Sequence, residues 1–117
     1  ARDLRLYLTA VNPPSSNVHV YYKVRNSLDP ESIDERNWTR MEQMTSIYNY
    51  SLKNDPKEFE FRPSSTSNNI VYVTPYNTYK TFNQYAIKVV LTAQDSVAGK
   101  IPYVMDVRAI ALPEDIY

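Results

Sequence analysis

Wherever this chain is patterned, the pattern has a period of two. In residues 3–11, Leu4, Leu6, Leu8 and Ala10 alternate with Arg5, Tyr7 and Thr9; in 17–25, Val18, Val20, Tyr22 and Val24 alternate with His19, Tyr21, Lys23 and Arg25. Residues 57–62 set Phe59 and Phe61 against Glu58, Glu60 and Arg62, and residues 82–93 set Tyr85, Ile87, Val89 and Leu91 against Gln84, Lys88 and Thr92. Successive side chains of an extended chain point to opposite faces, so each run predicts a strand with one buried face. Residues 101–112 differ: Arg108, Ile110 and Leu112 alternate with Val107, Ala109 and Ala111. Both faces are largely apolar, which predicts a strand in the middle of its sheet. No segment keeps a helical spacing over a secure length.

The turns add a second constraint. The chain has one Gly against eight Pro, and two-residue hairpin loops need residues that tolerate positive φ. Turns therefore have to come from Asn, Asp, Ser and Pro and to run longer than two residues. Residues 12–17 (NPPSSN) are a loop, 26–37 a long polar excursion and 63–69 (PSSTSNN) a polar loop; residues 38–44, 47–52 and 70–74 are short strands, with Trp38 as a core anchor and 75–81 a turn. Strands 3–11 and 17–25 are expected to pair as a hairpin. The runs 82–93 and 101–112, joined across the only glycine, are expected to form a second hairpin, the spine of the sheet. About eight short strands with eleven Tyr indicate an all-β fold, an antiparallel two-sheet β-sandwich of jelly-roll-like form, with an immunoglobulin-like sandwich second. With 117 residues the chain fits one domain over 1–112, and 113–117 reads as a tail or the start of a linker. The opening Ala, followed almost at once by a strand, reads as a piece of a longer polypeptide.

Composition narrows the function classes. Thirteen basic residues balance thirteen acidic ones, which gives no electrostatic footprint for nucleic acid or an anionic membrane, so neither is expected as a partner. No apolar run is long enough for a membrane helix. The absence of Cys removes disulfides and thiolate metal sites and suits a reducing compartment. His19 is the only histidine; one His without Cys does not make a zinc site, and no local signature supplies triad partners. The acids Asp29, Glu31, Asp34 and Glu35 lack the alternating ligands, central Gly and terminal Glu of a calcium loop, so they read as a solvated acidic loop. One glycine builds no phosphate loop. Neither a metal nor any other cofactor is expected.

Two features remain. Asp106 sits in an apolar strand, where its ionisation could be perturbed for glycoside hydrolysis, but Arg108 two residues on shares its face and makes a partly buried ion pair the simpler reading. An enzyme is not expected. Trp38, Tyr48, Tyr50, Tyr72, Tyr76 and Tyr79 are candidates for flat faces that stack on sugar rings or anchor a protein partner, with burial in the core as the competing role.

Read together, DLRLYLTA (3–10), VYYKV (20–24), Trp38, FNQYAIKVVL (82–91) and PYVMDVRAIAL (102–112) resemble a domain of structural proteins from tailed bacteriophages, particularly the large T4-like phages. The resemblance covers nearly the whole domain, but through strand sequences that specify a fold better than a task. It implies a non-enzymatic component of the tail, baseplate or fibre region, assembled in the host cytoplasm into the virion, with other virion subunits or further copies of itself as partners. It carries over no catalytic residue. A weaker likeness, to carbohydrate-binding jelly rolls, implies the alternative of a module for attachment to host-receptor surface glycans.

Overall fold

The computed structural model describes residues 1–12, 16–44, 56–64, 66, 69–93 and 102–113. Along them the strands are β1 (Asp3–Val11), β2 (Ser16–Arg25), β3 (Thr39–Arg40), β4 (Glu42–Gln43), β5 (Lys57–Arg62), β6 (Tyr72–Val73), β7 (Thr78–Tyr79), β8 (Gln84–Ala93) and β9 (Tyr103–Leu112), with one 3-10 turn at Ile33–Glu35. All pairs are antiparallel. One sheet runs β4-β5-β1-β9, a second β3-β2-β8, and β6 and β7 form a small hairpin. The fold is an all-β, two-sheet sandwich.

The period-two pattern decides which residues lie between the sheets. Leu4, Leu6, Leu8 and Ala10 are fully buried on β1, and Phe61 and Phe59 stand opposite Leu6 and Leu8 on β5. From the other sheet come Val20 and Val24, with Val18, Tyr22, Ile87 and Val89 partly buried around them. Each fully buried Leu, Val or Phe contributes about 1.5–3 kcal/mol relative to exposure, so this layer is the main source of stability.

Pairing is where the structure departs from expectation. β1 pairs with β9, not β2, and β2 pairs with β8. The first strand thus lies against the last and the second against the next to last, the nesting of one long hairpin rolled across the sandwich in jelly-roll fashion. Alternation identifies a strand's buried face but not its neighbour, because the same pattern serves a hairpin and an arch between sheets. The composition of the NPPSSN connection argues against a tight hairpin, since proline is restricted to negative φ. Its ends are joined where Ser16 Oγ donates to Asn12 Oδ1 at 2.9 Å.

The strand 103–112 is also not central. Among the described residues it is hydrogen-bonded to β1 alone and forms an edge, and its register slips between Thr9 and Ala10, leaving Met105 as the extra residue of a bulge. Apolar residues on both faces mean central burial only when a second neighbour is present.

The segment 38–44 is broken into β3 and β4 around buried Met41, and it is Met41 that fills the core, not Trp38, which is 37% exposed. The expected strand 70–74 contracts to β6, and the expected turn 75–81 contains β7. The hairpin between them turns over four residues, with Thr74 N–H donating to Asn77 O and Thr74 Oγ1 accepting from Tyr76 N–H and Asn77 N–H. This is a Ser/Thr turn that needs no glycine. The strand expected over 47–52 lies outside the described residues.

Candidate functional site

The six aromatic residues singled out by sequence do not form one platform. Tyr72 and Tyr79 are buried and stack on each other, ring centroids 4.9 Å apart. Tyr76 is 87% exposed on the β6–β7 turn. Trp38 lies against the outer face of the three-stranded sheet, and Tyr48 and Tyr50 lie outside the described residues.

Tyr72 belongs to a network that sequence reading missed. Asp29, expected in a solvated loop, is 2% exposed. Its Oδ2 accepts from the Tyr72 hydroxyl at 3.0 Å and its Oδ1 from Glu31 N–H at 3.0 Å, while the Tyr72 oxygen accepts from Asn26 N–H at 2.8 Å. The Arg36 guanidinium sits 4.1 Å from the Tyr72 ring centroid. Arg25 donates to Asp29 O at 2.6 Å, to Glu31 O at 2.7 Å and to Gln84 Oε1 at 3.0 Å. Burial first, and then the Asp29 carboxylate, push the Tyr72 phenol up from its ordinary value. Every strong contact here is internal, so the network pins the 26–37 excursion to the β6–β7 hairpin. Asx turns at Asn26 and Asp29 were the legible signal: Leu28 N–H reaches Asn26 Oδ1, the local bond that Asn and Asp offer two residues on.

The outer face of the three-stranded sheet gathers cations and rings. Tyr21 stands opposite Lys88 on one side and Arg40 on the other. The Lys23 and Lys88 amines lie 4.5 and 4.8 Å from the Trp38 ring centroid, and Lys88 lies 4.9 Å from Tyr21. Arg40 Nη2 is 2.8 Å from His19 Nδ1; a guanidinium only donates, so Nδ1 accepts and the imidazole is neutral. Burial, then the Arg40 charge, lower the His19 pKa. No nucleophile or orienting acid completes a triad with His19 among these contacts.

Asp106 is not half of a buried pair. Its Oδ2 is 3.9 Å from Arg108 Nε, both side chains are more than half exposed, and Arg108 holds Glu58 more closely, at 3.0 Å. Among the described residues no three His, Cys, Asp or Glu gather as metal ligands would. A depression of about 460 Å³ lies over Arg40, Met41, Glu42 and Gln43, a set without a nucleophile or a paired acid and base.

The remaining feature is the open flank of the sandwich. On one side the chain passes directly from β3 in one sheet to β4 in the other, tied by Met41 N–H to Val20 O and Met44 N–H to Glu60 O. On the opposite side both sheets end in ten-residue strands, β8 and β9, each with one partner strand among the described residues. Tyr85, Leu91, Tyr103, Met105, Val107 and Ile110 are all exposed there. An unpaired strand offers a row of backbone N–H and C=O groups, and native edges are normally blunted by charge, bulges or cover. This one carries a bulge but few charges. Compared with family models, curated proteins and solved structures, the chain matches none.

Proposed function

We propose that this chain works by contact, as a non-enzymatic structural module of a tailed-phage virion, in the tail, baseplate or fibre region. The observation that carries the assembly reading is the flank formed by β8 and β9, where large apolar side chains are exposed on two strands that each have one partner strand among the described residues. Contiguous exposed apolar surface marks interaction sites, and strand edges bind by adding a strand. The virion setting comes from the resemblance of the four strand motifs and Trp38.

The test is made in particles. Mass spectrometry of purified phage from the source of the chain is expected to find it as a stoichiometric component. Met105→Lys with Ile110→Lys, both at exposed positions, is expected to lower its incorporation at least tenfold while the melting temperature of the isolated domain stays within a few degrees. Absence of the chain from wild-type particles overturns the reading.

A second reading, attachment to a glycan, is favoured by the face bearing Trp38, Tyr21, Lys23, Lys88, Arg40 and His19. Its cations suit an acidic sugar better than a neutral one, because lysines already occupy space over the indole. Binding of sialylated or sulfated glycans lost in Trp38→Ala and in Lys88→Glu supports this second reading; no binding to any acidic glycan removes it.

A further inference from the structure

We infer that the partner on the open flank is a second copy of this chain, joined by antiparallel pairing of β9 with its own copy about a two-fold axis at Val107. The inference rests on the assembly reading above and names the partner. Its ground is the order of charges along the exposed edge. In a strand pair with Val107 opposite Val107 of the copy, Asp106 of each chain faces Arg108 of the other, so the only two charged residues of β9 become two cross-strand ion pairs. Opposite charges directly across a ladder stabilise it and like charges destabilise it, and a self-complementary patch is what an isologous interface requires. All three central pairs lie on the regular side of the Met105 bulge.

Size fits as well. Ten-residue strands span about 33 Å and stacked sheets lie about 10 Å apart, so the flank presents roughly 650 Å² once side-chain thickness is included, near the ~800 Å² per partner of a standard interface. An axis normal to the sheets also brings the two β8 edges together and shields Tyr85 and Leu91, which no pairing through β9 with an isolated peptide strand would do.

The chain contains no Cys, so single-cysteine variants report the register directly. Under mild oxidation Val107→Cys is expected to form a disulfide dimer at least tenfold faster than Ile110→Cys. Opposed Cβ atoms lie about 4.5–5.5 Å apart at the axis, whereas Ile110 and its copy are about 20 Å apart in this register. In sedimentation velocity the unmodified chain is expected to dimerise, Asp106→Arg to raise the dissociation constant at least tenfold, and the exchange of Asp106→Arg with Arg108→Asp to recover most of that loss. The exchange also breaks the exposed Arg108–Glu58 pair, which costs little. A monomer at every concentration, equal linking of the two cysteine variants, or no recovery on charge exchange overturns the inference. If the chain is monomeric but Met105→Lys with Ile110→Lys still blocks incorporation into particles, the two-fold pairing falls and the assembly reading stands.

Discussion

At the scale of single residues, a few buried polar groups tie together segments far apart in sequence. Tyr72 hydroxyl both donates to Asp29 and accepts from Asn26. Tyr72→Phe keeps the ring stacked on Tyr79 but leaves a buried carboxylate oxygen and a backbone N–H unpaired. A loss of about 1–3 kcal/mol in urea unfolding is expected, and a change below about 0.5 kcal/mol would show that water replaces the hydroxyl. Asp3 offers a test of sign. Burial raises its pKa above the ordinary 3.8, opposed by the Leu4 backbone hydrogen bond and the nearby Arg5, Arg62 and Arg2 charges. Between 3.8 and that raised value the folded state holds more protons than the unfolded one, so stability falls as pH rises through the window. Asp3→Asn should therefore match the parent near pH 3 and melt higher than it at pH 7. A variant that melts lower at pH 7 would mean that the carboxylate's hydrogen bonds outweigh its burial.

At the scale of strands, legibility tracked how cleanly the apolar residues keep to one face. β1 was readable to its ends, because four apolar residues in register with Phe59 and Phe61 leave only one way to bury them. β5, β2 and β8 followed for the same reason. β9 was misread: YVMDVRAIAL is apolar on both faces whether a second strand covers it or is still to arrive, and nothing in the local pattern separates those cases. Pairing was misread too, since an arch and a hairpin share one alternation. Among the site candidates, Trp38 and Tyr76 are exposed while Tyr72 and Tyr79 are core, because which tyrosines are covered depends on the 26–37 excursion folding back, a long-range event. The difference between β1 and β9 is measurable with two apolar truncations. Leu6→Ala, at a fully buried position, should cost about 2–5 kcal/mol. Ile110→Ala, at a position 45% exposed, should cost the monomer less than half of that. Equal losses would mean that the edge is covered in the isolated chain.

At the scale of the whole molecule, the nesting of first strand with last makes folding wait for the C-terminal end. β1 has nine residues in register with β9, and β2 has ten with β8, so the two longest ladders close across most of the chain. Domains dominated by such distant pairings fold on the millisecond to second scale, because loop closure comes before any contact compensates for it. The start of the chain is tied in the same way: Ala1 and Phe82 exchange backbone hydrogen bonds at 2.8 Å, and Arg2 N–H reaches Leu112 O at 2.9 Å. A ladder of about nine hydrogen bonds, each worth roughly 0.5–1.5 kcal/mol net, is comparable to the ~5–15 kcal/mol that holds an ordinary domain folded. A chain ending at Ala93 keeps β1 paired with β5 and β2 paired with β8, yet it turns β1 into an edge with Leu4, Leu6 and Leu8 uncovered along one side. It is expected to show no cooperative thermal transition by circular dichroism, with exposed apolar surface binding a hydrophobic dye. Adding residues 94–117 as a separate peptide should restore a transition in a concentration-dependent way, since the missing strand carries its own complementary edge for β1. A cooperative melt of the shortened chain within a few degrees of the full one would show instead that the two inner strands and β5 suffice, and that β9 is held by the sandwich without holding it.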